Sequence, residues 1–492
     1  MNSFFYKIFL IFLWSFAISI VLDFIARQIK FFIFRIYLYI NKVAYKYKRK
    51  IRAKNKYYYK VKKIVYRFIH YISRIFFINK LYKSIILSVI TNFNRLVFEF
   101  FTLAFLILAS FIARHLKKPI DVGLGPEPLI NNIYHKSALK RYGYSAETFV
   151  IQVYFITNNF DVRGDEMFQD IDIIGNLIMQ FFNIDRFFIL QIYIYLRSIF
   201  RYKIIYIYFN GGPLLAIPHF KKFEPILYKL AKVRIVVMPY GGDIHVLSRS
   251  SNLNFKHAMS MDYLEYSKNK RKIIENQIDL WTKYADYVIS GCDWSRYMYA
   301  WDRLMLGHFS IDTELWKPSE DKKINTNDEI TILHAPNHKT IKGTEHFIQA
   351  VGELKKEGLP IKLQVAQKVS NSQLKKMIEE ADIIADQIVI GWYAMFALEG
   401  MALKKPVLCY IDEEFEQLYI FAGLIKKGEL PLVKCNIFNL KDEIRKLVLN
   451  KKMRDDIGEK SREFVINHHS IMYIGSIFDS INRSLGVVPT SI

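Results

Sequence analysis

Arg234-Ile235-Val236-Val237-Met238 runs without a break into Pro239-Tyr240-Gly241-Gly242-Asp243-Ile244. A short apolar run bounded by turn residues reads as a buried strand, and a glycine pair at its end lets backbone approach a ligand closely. The pattern also stands upstream, where Lys203 to Tyr208 leads into Phe209-Asn210-Gly211-Gly212-Pro213. Each loop alone reads equally well as a tight turn. Two of them after consecutive buried strands, with a helical stretch between, point to a parallel sheet whose ligand crevice lies at the strand carboxyl ends.

Working outward, Ile120 to Leu124 reads as the first strand, Gly125-Pro126-Glu127-Pro128 as its turn, and Ile130 to Tyr142 as a helix stopped by Gly143. Thr148 to Phe155 and Tyr287 to Ser290 supply further strands. Gly123-x-Gly125 is a weak dinucleotide signal, because the third glycine of that fingerprint is missing.

At 492 residues the chain exceeds the roughly 250–300 at which a single core stops growing, so two domains are expected. Hydrophobic residues at 52% and a mean hydropathy of +0.08 exclude both a disordered chain and a multi-span transporter. The net charge of +24 is concentrated: Phe24 to Phe98 holds nineteen Lys and Arg and no Asp or Glu. The charge therefore belongs to an N-terminal region rather than to the body of the chain from Glu99 onward. Cys292, Cys409 and Cys435 are odd in number and widely spaced, which fits neither a disulfide framework nor a zinc site.

Phe4 to Leu22 is almost wholly apolar and close to the ~20 residues that cross a hydrocarbon core. It reads as a retained anchor (1–23), a cleaved signal peptide being the rival. The basic, aromatic stretch that follows (24–118) reads as a surface that adheres to anionic lipid; a solvated basic helix or an RNA-binding arm are the alternatives. A second apolar stretch, Leu96 to Ala113, competes for the membrane. If both spanned with the basic loop inside, the catalytic body would lie outside the cell, so one of the two is expected in the interface or on protein.

Three segments in order carry a resemblance to family 4 glycosyltransferases. Ile311-Asp312-Thr313-Glu314-Leu315-Trp316-Lys317-Pro318 is similar to the segment before that family's hinge. Ile330 to His338, with Ile341-Lys342-Gly343-Thr344, resembles the opening of its second domain, and Leu398-Glu399-Gly400-Met401-Ala402-Leu403-Lys404-Lys405-Pro406-Val407 its nucleotide-site helix. The resemblance covers about 120 to 475.

It implies the GT-B fold: α/β, two Rossmann-like domains with a cleft between them, at 119–316 (acceptor) and 317–475 (nucleotide sugar), with a tail from 476 to 492. It further implies a retaining glycosyltransferase that takes its sugar from a nucleotide-sugar donor and needs no metal or other cofactor. Lys342 would face the donor diphosphate, where charge builds as the sugar leaves. Glu399, expected just inside a helix N-terminus, would accept the ribose hydroxyls. Asn337, His338, Asp386, Gly212 and Gly242 complete the expected nucleotide-sugar site, with Asp243, and His245 after it, near the reacting sugar.

Two departures stand out. The family's first glutamate falls at Gly391, leaving Asp386 as a substitute, and its arginine falls at Pro336, leaving His334, His338 or Lys339. Asp170-Ile171-Asp172 matches a metal-binding DxD but lies in helical periodicity and reads as helix surface. The expected partners are a nucleotide sugar, a glycan or lipid-linked acceptor and an anionic membrane surface, without nucleic acid. The catalytic domains are expected to be membrane-associated and cytoplasmic. A catalytically silent GT-B scaffold that recruits partner transferases is the competing expectation.

Overall fold

The computed structural model describes residues 63, 67, 91–153, 159–167, 179, 181–319 and 329–490. The first apolar run, most of the basic stretch, the DxD at 170–172 and the linker at 320–328 lie outside them. Two bodies are distinguished: residues 1–100 with 177–184, and residues 101–176 with 185–492. Both Rossmann-like lobes belong to the second.

The first lobe is a seven-stranded parallel sheet of order β3-β2-β1-β4-β5-β6-β7. β1 (Ile120–Leu124), β2 (Ala146–Val150) and β3 (Val162–Arg163) wind one way; β4 (Tyr202–Tyr208), β5 (Arg234–Met238), β6 (Tyr287–Gly291) and β7 (Arg303–Met305) wind the other. Direction reverses between β1 and β4, whose register pairs Val122 with Ile204 and Leu124 with Tyr206. The second expected strand is in place but displaced: it starts two residues earlier than Thr148 and ends at Val150.

The second lobe is a five-stranded sheet of order β12-β11-β10-β8-β9. β8 (Ile330–His334) and β9 (Ile361–Val365) wind one way, and β10 (Ile383–Gln387), β11 (Val407–Cys409) and β12 (Val433–Lys434) the other. The reversal falls between β8 and β10, where Ile332 pairs with Ile383. Two doubly wound α/β lobes are the architecture the sequence leads one to expect.

The helices that position the site are α1 (Thr91–Ala113), α2 (Ile130–Arg141), α3 (Arg186–Arg201), α4 (Glu224–Leu230), α5 (Leu253–Asp262), α6 (Leu264–Asn269), α7 (Lys339–Lys342), α8 (Asn371–Glu380), α9 (Met395–Ala402), α10 (Lys451–His469) and α11 (Ile471–Ser484). α3 is amphipathic and begins at an Asp185 cap that accepts from the Phe188 N–H, a side-chain partner for one otherwise orphaned donor.

The stretch from 476, read from sequence as a tail, is no tail. Ile474, Ile477, Phe478 and Ile481 of α11 are buried in the first lobe's core beside Val122, Ile204 and Tyr206. The Phe478 and Tyr206 rings lie 5.0 Å apart, and the Tyr206 hydroxyl donates to Asn482 at 2.8 Å. The apolar face of α11 must be buried somewhere, and α2 leaves that space on the sheet. Crossing the other way, Phe255, Ala258 and Met259 of α5 join the second lobe's core with Ile332 and Phe347.

Candidate functional site

In an open parallel sheet the connections leaving the two strands at a direction reversal go to opposite faces, opening a crevice at the strand carboxyl ends. Each sheet has one reversal, and each crevice holds polar groups. In the first lobe Glu127 follows β1 and Asn210 follows β4. The Asn210 Nδ2 donates to Glu127 Oε1 at 2.9 Å and lies 2.7 Å from the Tyr240 hydroxyl at the end of β5. Burial raises the Glu127 carboxyl above its ordinary value, and the Asn210 bond offsets part of that. In the second lobe Lys342, at the end of α7 after β8, donates to Asp386 Oδ1 on β10 at 3.0 Å. Lys342 is largely covered and the Asp386 side chain is fully buried.

Direct contacts link the two lobes through the segment from Asn252 to Tyr266. The Tyr266 hydroxyl on α6 donates to the Gly242 carbonyl at 2.6 Å. Three residues earlier, the Tyr263 hydroxyl meets His338 Nδ1. Thr340 donates to Asp262 at 2.7 Å, and Asn252 donates to the Val389 carbonyl at 2.7 Å. Through Tyr263 and Tyr266, one turn apart, these contacts link His338 to the loop that carries Gly242. A Cβ on Gly242 would meet nothing within 4 Å, so this glycine faces open space.

Asp243 plays a different part from the one expected of it. It is fully buried; its Oδ1 accepts from the N–H groups of Tyr240 and Gly241 at 3.0 and 2.9 Å, and its Oδ2 from the Phe209 N–H at 3.0 Å. The carboxylate ties the two glycine loops together and has no face toward the crevice. Burial pushes its pKa up to about 7 against these three bonds. Gly212 is likewise structural, because a Cβ there would stand 2.4 Å from Glu224 Oε1. Buried Glu224 accepts from the Gly212 and Leu214 N–H groups at 3.2 and 3.0 Å, and burial raises it to about 8. His245 pairs with Asp293 at 3.2 Å between the rings of Phe255 and Tyr297.

Glu399 lies in the second turn of α9, which has no acidic residue in its first turn, so the helix dipole gives it less than expected. It is buried, accepts from Asn371 Nδ2 at 2.9 Å, and burial lifts its carboxyl to about 8. Its charge also acts on Tyr134 of α2, whose hydroxyl accepts from Trp316 Nε1 at 3.0 Å. Glu399 is thus within electrostatic range of Tyr134 in the first lobe, and Lys342 lies four residues from His338, which meets Tyr263. Both lie at the carboxyl edge of the second sheet, but no contact among the described residues joins them.

Of the expected stand-ins for arginine, His334 is unsuited. Its ring nitrogens are engaged by the Ala385 carbonyl and the Thr344 hydroxyl at 2.7 and 2.9 Å, and burial lowers its pKa to about 4. His338, Lys339 and Asn337 are exposed. Among the described residues no group of three or more His, Cys, Asp or Glu is arranged to hold a metal.

Glu127, Asn210, Tyr240 and Tyr266 were not singled out in the sequence, although the glycine loops beside Asn210 and Tyr240 were. The signal that finds them is strand order, which locates the crevice.

No protein-family model matches this chain, and no curated protein does so at a significant level. Among solved structures, Anabaena HepE in complex with UDP aligns at 13% identity and a TM-score of 0.46, over 75% of this chain and 100% of its own. A sucrose-phosphate synthase from Thermosynechococcus elongatus aligns at 14% and 0.49, over 75% and 99%. An alpha-glucosyltransferase in complex with UDP-glucose and DNA containing an abasic site aligns at 10% and 0.44, over 74% and 99%. Likenesses at this level do not bear on activity.

Proposed function

We propose that this chain is a glycosyltransferase. It moves a sugar from a nucleotide-sugar donor to a lipid-linked or surface-polysaccharide acceptor, with retention of configuration, at the cytoplasmic face of a membrane. The observation that carries the reading is the pairing of two polar crevices, Glu127 with Asn210 and Lys342 with Asp386, at the reversal points of two linked sheets. A donor diphosphate needs a cation that meets charge as it develops, and Lys342 supplies one in a site shielded from bulk water. Glu399 accepts the ribose hydroxyls once it ionises. Gly242 leaves room for the transferred sugar, and Glu127, Asn210 and Tyr240 offer polar atoms to an acceptor. Retention asks for positioning and a clamped leaving group, chemistry that requires no metal. The basic run from Phe24 to Phe98 supports the membrane location.

One observation favours a second reading, the silent scaffold: Asp386 already neutralises Lys342. Thermal melts and calorimetric titrations of the intact chain with UDP-, GDP- and ADP-sugars separate the two. The transferase reading expects a response to at least one donor, lost in Glu399→Ala and Lys342→Ala, and product whose anomeric signals in NMR match the donor's configuration. No response to any of them supports the scaffold.

A further inference from the structure

α1 is long enough to cross a bilayer: its 23 residues span about 34 Å, against a hydrocarbon core of about 30 Å. Its packing says otherwise. From 101 onward one stripe faces the first lobe, with Leu106, Ala109, Ser110 and Ala113 all buried. Ser110 Oγ lies 2.8 Å from the Tyr195 hydroxyl of α3. Lys118 Nζ ties the helix end down, donating to the carbonyls of Ala113 and Ala231 at 3.1 and 2.9 Å. α3 itself carries Arg186, Arg197 and Arg201 and covers the sheet. A crossing orientation would carry that helix and its arginines into hydrocarbon.

The opposite flank is apolar and open. Phe105, Ile107, Leu108, Phe111, Ile112 and Leu116 are each 46–57% exposed, and a helix apolar on nearly every side belongs in a core or in lipid. A protein partner would meet a polar rim, whereas among the described residues of this flank none is charged until its end, where Arg114 and Lys117 are exposed. No Asp or Glu occurs between Phe100 and Ile120. At the other end, Glu99 is held by Arg95 at 2.9 Å, so no free negative charge faces an anionic surface there.

We propose that α1 is a monotopic element. It lies in the plane of an anionic bilayer surface with the Phe105–Leu116 flank at the boundary of headgroups and acyl chains, and holds the first lobe against the membrane. The proposal rests on the membrane location proposed above and not on sugar transfer.

The test uses the full chain with Phe105→Cys, Leu108→Cys or Ile112→Cys carrying an environment-sensitive dye. The native Cys292, Cys409 and Cys435 are buried and stay unlabelled. Vesicles of phosphatidylcholine, with and without phosphatidylglycerol, carry quenchers near the headgroup or at the bilayer centre. All three sites should be shielded from aqueous iodide by the anionic vesicles, and quenched at the same shallow depth. A crossing helix would separate Phe105 and Ile112 by about 10 Å in depth, and that result would overturn the proposal. So would iodide access unchanged by vesicles, or shielding that needs no vesicles and grows with protein concentration, the mark of a second copy. Melts with nucleotide sugars on the same samples judge the transferase reading separately.

Discussion

Replacing Lys342 by methionine removes a charge and keeps the stem, and two roles predict different outcomes for it. Structurally, Lys342 Nζ is 3.0 Å from Asp386 Oδ1, and the Asp386 side chain has no exposure. Taking away one partner of such a pair strands a buried carboxylate, at a cost of about 3–5 kcal/mol. Converting Asp386 to asparagine as well removes the stranded charge, so Lys342→Met with Asp386→Asn should return to within about 1 kcal/mol of the parent. Functionally, a charge-assisted bond to a diphosphate contributes about 1.5–3 kcal/mol, roughly 10-fold to 150-fold in Kd. Stability is read by denaturant unfolding, and binding by calorimetry with UDP, GDP and ADP. The expected signature is a double variant that is stable but has lost that factor in nucleotide diphosphate affinity. If it binds as tightly as the parent, Lys342 is only a strut for Asp386 and the assignment of the diphosphate site is refuted.

Gly242→Ala, whose Cβ enters open space, should leave unfolding within about 0.5 kcal/mol while weakening donor or acceptor kinetics. Gly212→Ala, 2.4 Å from Glu224, should cost about 1–3 kcal/mol in the same unfolding assay. Asp243→Asn should lose about 1–3 kcal/mol of stability, because an amide cannot accept on both sides the three N–H bonds the carboxylate takes; an unchanged melt with lost turnover would restore its catalytic role. Glu399 has a folded pKa near 8 against an ordinary value of 4.5, so protonation stabilises the fold fully below about pH 4.5, and that stabilisation is lost as pH rises through about 8. Donor affinity should accordingly rise between pH 6 and 9, and Glu399→Gln should flatten both profiles. Truncation after Ser470 removes the buried Ile474, Ile477, Phe478 and Ile481, each contributing about 1.5–3 kcal/mol, and circular dichroism should show the first lobe unfolded.

The strands were legible because their signal is local. Arg234 to Met238 matches β5 residue for residue, and Ile120 to Leu124 matches β1. What was not legible depends on contacts distant in sequence. α11 reads as a tail until its partner α2, more than 300 residues upstream, is known. Asp243 and Lys342 look alike as polar residues near glycines, and only burial separates a loop tie from a crevice cation. Glu127 sat in a proline-flanked turn that gave no hint of function, since a sequence does not reveal that β1 and β4 are neighbours.

Position 391 shows why a departure from a family pattern is weak evidence of lost activity. Gly391 has φ +107°, where side chains with a Cβ are strained, and a Cβ there would stand 3.1 Å from the Asp412 Cβ. A glutamate in this backbone is strained at φ and displaces Asp412 by a few tenths of an ångström, whatever the chemistry of the site. Asp412, three residues past β11, accepts from Arg296 of the first lobe at 2.9 Å, and the guanidinium lies over the Phe415 ring at 4.4 Å. The glycine at 391 does not by itself establish the scaffold reading. That reading stands or falls on whether Lys342 exchanges Asp386 for a diphosphate, which the paired variants measure.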